Sequence, residues 1–171
     1  MVLFWITLID SAGELIFQAK RDTASYLKDL AAAGKITYTL VATGLFFDND
    51  LPYPVGGINF KEGKASVPGT GKELIGITSR DDIGRYVAAI LKHPEATENT
   101  VVRVSGETTT ADTLIEKYEK KLGKKFDVSY RSAEELDRIA QEGLKSGNLG
   151  AYFSNRIPLF MATGVRSFTS D

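Results

Sequence analysis

The chain has 171 residues, of which 43% are hydrophobic and 25% are charged, as in an ordinary soluble globular protein. It contains no cysteine and a single histidine, which excludes disulfide bonds, thiol nucleophiles, zinc–thiolate sites and metal sites with two imidazole ligands. The 21 basic and 22 acidic side chains give a formal net charge of −1, so no net positive field attracts nucleic acid or anionic lipid. We therefore expect one domain, a cytoplasmic location, and neither nucleic-acid nor membrane partners.

The first 43 residues predict a strand, a helix and a second strand. Residues 2–9 form an apolar run that is too short to span a bilayer and lacks the features of a signal peptide, so we interpret it as a core strand. Ser11 and Glu14 have the spacing of a capping box, and the helix that follows is predicted to end at Gly34. The β-branched and aromatic run 36–43 predicts the second strand.

Residues 47–72 are rich in glycine and proline, which predicts a long loop with at most one short hairpin. Loops of this length are commonly lids or binding segments, so this loop is a candidate ligand site. Segment 68–72 resembles a phosphate-binding loop but lacks its first glycine and its final Ser or Thr, and turn chemistry explains it better. No glycine-rich dinucleotide motif follows any predicted strand.

Strands and helices alternate in the remainder of the chain. Strands are predicted at 74–78, 100–104 and 126–130, and helices are predicted to begin near Ser79 or Asp81, at Thr110 and at Ser132. This alternation is typical of an α/β fold with mainly parallel strands, here in a thin sheet of three or four.

Three places carry side chains capable of chemistry, and each also has a structural explanation. Asp81 and Asp82 could bind a cation or act as acid and base, but carboxylates at a helix start usually cap the helix. His93, at a predicted helix end, is interpreted as a cap in the same way. Lys20 lies among apolar residues, where it either extends its ammonium to solvent or, partly desolvated, transfers protons.

Six segments carry a shared resemblance to known proteins: 17–20 (FQAK), 26–30 (YLKDL), 36–46 (ITYTLVATGLF), 69–71 (GTG), 77–86 (ITSRDDIGRY) and 119–125 (EKKLGKK). Over about residues 14–145 the chain resembles the NmrA-like and isoflavone reductase-like families, which are atypical short-chain dehydrogenases. The resemblance implies a partial Rossmann-like parallel sheet with flanking helices, plus a small C-terminal subdomain of the substrate-binding type. It also implies NADP or NAD as the cofactor and reduction of a small aromatic or secondary metabolite.

The resemblance also assigns roles on the nicotinamide side of the cofactor. Lys20 matches the lysine that contacts the nicotinamide ribose and transfers a proton in the reductases, which makes it the candidate catalytic residue. The strand-end residues that would line the nicotinamide are Thr43, Gly44, Leu45 and Phe46. Ala24 stands where many reductases carry a basic residue, so we expect one cofactor contact to be absent.

The partner implied is a small-molecule substrate, and its pocket is expected where residues 148–161 close it. The candidate substrate-binding residues are Phe47, Tyr152, Phe153 and Met161. No metal site is expected.

The match begins partway through the family's domain, because nothing in the chain corresponds to the first βαβ units and their glycine fingerprint. Residues 1–171 would then form a single NmrA-like domain equivalent to the C-terminal half, without the backbone amides that hold the cofactor pyrophosphate. Three alternatives follow: a reductase, a non-catalytic remnant or NAD(P)-linked regulatory protein, and a truncated gene model. Sheet edges without neighbouring strands would favour a homodimer or a protein partner.

Overall fold

The computed structural model describes residues 2–6, 15–48 and 57–164. Its strands are β1 (Val2–Ile6), β2 (Tyr38–Ala42), β3 (Leu45–Phe46), β4 (Ile58–Asn59), β5 (Lys64–Pro68), β6 (Ile75–Thr78), β7 (Thr100–Arg103), β8 (Glu107–Thr109) and β9 (Asp127–Arg131). Its α-helices are α1 (Gln18–Ala32), α2 (Arg80–Lys92), α3 (Pro94–Thr97), α4 (Ala111–Leu122), α5 (Ala133–Lys145) and α6 (Leu149–Ala162). The predicted α/β class, with parallel strands and flanking helices, is confirmed.

The first sheet is fully parallel and has the strand order β1-β2-β7. β1 pairs with β2 from Val2↔Tyr38 to Ile6↔Ala42, which confirms a strand at the start of the chain. The last residues of the predicted run, 7–9, lie outside the described residues. Because α1 connects two parallel strands, it runs back along the sheet, and its first turn lies at the edge where β1 and β2 end.

Two mixed sheets contain the other strands, so the parallel pairs are spread over three small sheets instead of one. In the order β3-β6-β8, β3 is parallel to β6 and β8 is antiparallel to it. In the order β4-β5-β9, β5 is parallel to β9 and β4 is antiparallel to β5.

The predicted loop 47–72 contains more regular structure than its glycines and prolines suggest. The expected hairpin is formed by β4 and β5, with Ile58 opposite Ala65. The prediction of a loop is wrong for β5, which pairs with β9 along its whole length up to Pro68. Ala65 and Val67 are buried whereas Lys64 and Ser66 are exposed, the alternation of a strand with one face in the core. Residues 49–56 lie outside the described part of the chain, so a lid there stays a prediction.

Three helices begin at the predicted caps, each of which accepts a backbone N–H from three residues further on: Ser79, Thr110 and Ser132. Gly34 and Gly123 end their helices with φ values of 70° and 63°, as the left-handed stop requires. α1 begins later than the capping box at Ser11 indicates, after a 3-10 turn and with Phe17 as an N-cap that makes no side-chain hydrogen bond. The capping box itself lies outside the described residues.

Apolar side chains form two main core clusters, which we call the α1 cluster and the hairpin cluster. The α1 cluster packs Leu27 against Tyr38, Leu40 and Ala42 of β2. The hairpin cluster includes Ile58, Ala65, Val67, Ile75, Ile77, Ala111, Leu114, Ile115, Phe126 and Met161. In the described ranges, no helix has both the length and the hydrophobicity that a membrane crossing requires.

Candidate functional site

Lys20 lies in the first turn of α1, on the face that the helix turns toward the protein. Phe17, three residues earlier, is 4% exposed, and Leu27, seven residues later, is 7% exposed; this is the spacing of one helical stripe. Ala24, between them, packs against the α1 cluster. Lys20 itself is half-buried, and this burial lowers the pKa of its ammonium. Its position therefore combines a cation with partial desolvation, and its role in proton transfer stays a prediction.

The topology places Lys20 at the same edge of the first sheet as the end of β2. The first turn of an α-helix that connects two parallel strands lies beside their carboxyl ends. Thr43 and Gly44 directly follow β2. Lys20 and the first two predicted nicotinamide-lining residues thus share one edge of the sheet.

Residues 43–48, which we call the strand-end segment, lead the chain from the first sheet to the second. Thr43 is fully buried, and its carbonyl accepts a hydrogen bond from the Thr78 hydroxyl at 2.6 Å. Gly44 has φ of 68°, a conformation that glycine adopts without steric cost. Leu45 and Phe46 form β3 beside β6, with half-buried side chains.

The strand-end segment also contacts the start of α2. The carboxylate of Asp48 accepts the backbone N–H of Arg80 at 3.2 and 3.3 Å and lies 3.5 Å from the guanidinium Nε of that residue. Asp82 accepts a hydrogen bond from the Ser79 hydroxyl at 2.9 Å and pairs with Arg85 at 3.1 Å. The carboxylate of Asp82 therefore interacts with residues at the start of α2, as expected for an acidic residue that helps to cap a helix.

His93 lies between α2 and α3 and makes no side-chain capping hydrogen bond. Its Nδ1 is 3.6 Å from the carboxylate of Glu95, and its side chain is 69% exposed. Within the described residues, no group of three or more histidine, aspartate or glutamate side chains is arranged to hold a metal ion.

Two of the predicted substrate-binding residues, Phe47 and Met161, pack against the same core. The ring of Phe47 is 5.5 Å from that of Phe60 and 6.5 Å from that of Tyr118, and it is half-buried beside the hairpin cluster. Met161 is a member of that cluster and is 7% exposed. Both side chains therefore contribute to packing, and Phe47 is the more accessible.

The other two predicted substrate residues are neighbours on α6. Tyr152 is 3% exposed, whereas Phe153 is 38% exposed. Their ring centroids are 5.3 Å apart. Phe153 is therefore the most accessible of the four predicted substrate residues.

The residue that precedes α1 contacts α6, and the sequence pattern does not reveal this contact. The rings of Phe17 and Phe160 are 5.7 Å apart. The guanidinium of Arg156 lies 5.9 Å from the Phe160 centroid and donates to Asp137 at 2.5 Å. The only signal in the sequence is the spacing of four residues between Arg156 and Phe160, which places them on one helical face.

A concavity with a volume of about 460 Å³ lies at the C-terminal end of α4. Its lining residues are Glu116, Glu119, Lys120, Gly123, Lys124 and Lys125. Lys125 pairs with Glu119 at 2.5 Å, which lowers the pKa of that carboxyl and raises the pKa of the lysine. None of the predicted site residues lines this cleft.

Comparison with known sequences identifies one family. The NmrA-like family matches residues 10–153. Oxidoreductase poxI from Penicillium oxalicum is 27% identical over 112 residues, which is 65% of this chain and 36% of that protein. An NmrA-like family domain-containing oxidoreductase from Gibberella moniliformis is 31% identical over 96 residues, 56% of this chain and 32% of that protein. The alignments thus span about a third of the length of these curated relatives.

Solved structures share the fold. A nucleoside-diphosphate-sugar epimerase from Staphylococcus aureus superposes with a TM-score of 0.68 at 22% identity, over 98% of this chain and 57% of that one. The binary complex of leucoanthocyanidin reductase with NADPH from Vitis vinifera gives 0.65 at 17% identity, over 89% and 50%. An isoflavone reductase gives 0.62 at 20% identity, over 90% and 48%. At these identities the likeness establishes the Rossmann-like fold, and the chain spans about half of each of these structures.

Proposed function

Because the chain belongs to the NmrA-like family, we propose that it forms the nicotinamide and substrate side of an NAD(P)H-dependent reductase acting on a small aromatic molecule. The observation that carries the proposal is the position of Lys20, a half-buried lysine in the first turn of α1. It lies at the edge of the sheet where β2 ends, which is where ligands bind in open α/β sheets.

Reduction of this kind requires a hydride and a proton. A bound reduced nicotinamide would supply the hydride. Lys20 would hold the proton at Nζ and donate it to the substrate oxygen that gains negative charge as the hydride reaches the neighbouring carbon. Since burial lowers the pKa of Lys20, its ammonium is a stronger acid than that of an exposed lysine.

The strand-end segment suits the flat face of a nicotinamide ring. Gly44 has no side chain, so a ring is able to approach the backbone there closely. The half-buried side chains of Leu45 and Phe46 would exclude water from the same side. Ala24 packs against the α1 cluster, so the cofactor contact that a basic side chain would make one turn beyond Lys20 is absent.

An aromatic substrate is supported by two rings on α6. Phe160 is half-buried where α6 meets α1, and the ring of Phe153, two turns earlier on α6, is accessible. Aromatic rings bind planar apolar molecules by stacking and by edge contacts. We propose that Phe153 and the accessible part of Phe47 contact the substrate, while Tyr152 and Met161 support them from the core.

The cofactor phosphates need groups of another kind, usually backbone amides at a glycine-rich helix start. The 171 residues contain no such motif, and the chain covers 57% or less of the three solved structures. We propose that residues 1–171 act as one domain and that a further segment or polypeptide supplies the pyrophosphate site.

The test is NADPH titration and turnover with the purified chain, alone and mixed with the separately expressed N-terminal half of an NmrA-like relative. We expect saturable NADPH binding in the mixture and NADPH oxidation with a panel of aromatic carbonyl compounds. Lys20→Met should lower kcat by about 100-fold or more, the usual contribution of general acid catalysis. Lys28→Met is the matched control, because Lys28 is an exposed lysine on the same helix, and it should leave kcat unchanged.

No nicotinamide binding at millimolar cofactor in either preparation would contradict the proposal. Saturable binding without turnover of any carbonyl compound would replace the reductase with the alternative, an NAD(P)-linked regulatory protein. Equal losses of activity in the Lys20 and Lys28 variants would remove Lys20 from the catalytic role.

A further inference from the structure

One residue at the end of β6 holds the strand-end segment at two points. The hydroxyl of Thr78 donates to the carbonyl of Thr43 at 2.6 Å. The backbone carbonyl of Thr78 accepts the N–H of Phe47 at 3.1 Å. Thr78 is 1% exposed, so neither bond competes with bulk water.

The same hydroxyl also reaches the turn that follows β7. The N–H of Gly106 lies 3.4 Å from the Thr78 hydroxyl oxygen and donates to the Ile77 carbonyl at 2.9 Å. A Cβ at Gly106 would lie 3.2 Å from that carbonyl, so the approach of the two backbones is close. Thr78 therefore ties together the end of β2 and the turn after β7.

At its far end, the strand-end segment is held by Asp48, which accepts the first helical N–H of α2. Gly44 lies between the attachment at Thr43 and β3, whose pairing with β6 holds Leu45 and Phe46. Without the attachment at Thr43, this glycine would let the end of β2 shift relative to β3.

We propose that Thr78 is a positioning residue, whose buried hydroxyl fixes the carbonyl of Thr43 and so holds the strand-end segment at the edge that carries Lys20. The proposal rests on the proposed function, in which that segment faces the nicotinamide. Its physical basis is that a shift of about 1 Å in the relative position of reacting groups can reduce a rate by about 100-fold.

The chain offers a matched control for this hydroxyl. Thr39, in β2, is also fully buried, and its hydroxyl donates to the carbonyl of Thr97 at 2.9 Å. Thr39→Val therefore removes a buried threonine–carbonyl bond that joins β2 to α3, outside the strand-end segment. Thr78→Val removes the corresponding bond at the segment, and Thr78→Ser restores a hydroxyl there.

We expect Thr78→Val to lower kcat/KM for NADPH oxidation at least about tenfold and Thr78→Ser to stay within about threefold of the wild type. Thr39→Val should keep kcat/KM within about threefold even where it lowers the melting temperature as much as Thr78→Val does. Equal effects of Thr78→Val and Thr39→Val on kcat/KM, or no rescue by serine, would overturn the proposal.

Hydrogen exchange separates failure of this proposal from failure of the proposed function. If the wild type neither binds nor oxidises NADPH, peptides covering 43–48 should still exchange faster in Thr78→Val than in Thr39→Val. Should Thr78→Val not fold, Asp48→Ala, which releases the far end of the segment, should accelerate exchange in the same peptides. The assignment would be overturned if residues 43–48 exchanged at the wild-type rate in whichever of these two variants folds.

Discussion

Lys20 occupies a position on α1 where the helix carries apolar side chains before and after it. The residues one turn away on this face, Phe17 and Ala24, pack against the protein. A charged group at such a position opposes folding, because burial removes water from the ammonium. The same burial lowers the pKa of Lys20.

This shift has a definite consequence for stability against pH. The folded chain releases the Lys20 proton at a lower pH than the unfolded chain, in which lysine titrates near 10.5. Between the two pKa values the unfolded state binds more protons than the folded state. The free energy of unfolding therefore rises with pH up to about 10.5. Below the lowered pKa, Lys20 is charged in both states and its burial opposes folding fully.

We expect Lys20→Met to remove this contribution from urea unfolding curves measured over a series of pH values up to and above 10.5. The difference in unfolding free energy between wild type and variant should change as the pH approaches 10.5 from below and level off above it. Lys28→Met, at an exposed position on the same helix, should follow the wild-type pH dependence. Parallel curves for Lys20→Met and the wild type would show that the ammonium is fully solvated.

At the scale of elements, local chemistry explains what could be predicted from the sequence. Ser79, Thr110 and Ser132 cap helices through bonds to residues three positions later, and such spacing is visible in any sequence. The pairing of β5 with β9 and the strand β8, which pairs with β6, escape prediction because these partners are distant in the chain. Pairing at that separation depends on tertiary context rather than on the segment itself.

The sequence pattern does not predict α6, and the reason is a different one. Residues 149–162 are apolar on most sides and include Pro158, so no polar face marks a helical period. Proline inside a helix removes one backbone hydrogen bond and usually signals a helix end. Packing against α5 compensates, with Tyr152 and Leu159 buried. The position of the substrate residues on this helix came from the family resemblance alone.

Alanine substitutions at two glycines inside helices should change the stability of the fold in opposite directions. A Cβ at Gly143 of α5 would meet the backbone N of Tyr152 at 2.8 Å and the carbonyl oxygen of Asn148 at 2.9 Å, whereas one at Gly84 of α2 would meet nothing within 4 Å. Gly143→Ala should therefore destabilise the fold by about 1–3 kcal/mol. Gly84→Ala should stabilise it by about 0.5–1 kcal/mol. Chemical denaturation measures both, and a stabilising Gly143→Ala would refute the tight contact of α5 with α6.

At the scale of the whole molecule, the candidate site lies where separately packed parts meet. The α1 cluster and the hairpin cluster have no member in common. Contacts between the two parts include the rings of Phe17 and Phe160 and the bond from Thr78 to Thr43. Neither contact could be predicted from spacing in the sequence, because each joins residues far apart in the chain. A ligand bound at this junction would therefore contact both parts and stabilise their relative position.

The edge of the first sheet at β7 leads to a prediction about association. Among the described strands, β7 pairs with β2 alone, and unpaired strand edges favour pairing with another chain. The N–H of Val104 donates to Ala42 of β2. Since N–H groups alternate sides along a strand, that of Val102 also faces β2, while that of Arg103 faces outward.

We expect the chain to dimerise through this edge at high concentration and Arg103→Pro to remain folded but monomeric, because proline removes an outward N–H without breaking the β2 ladder. Arg103→Ala, which keeps that N–H, should still dimerise, and Val102→Pro, which breaks the ladder, should lose stability. Sedimentation velocity over a range of concentrations, with circular dichroism for folding, distinguishes these outcomes. A dimer that persists in Arg103→Pro would place the interface elsewhere, and a wild type that stays monomeric throughout would reject association at this edge.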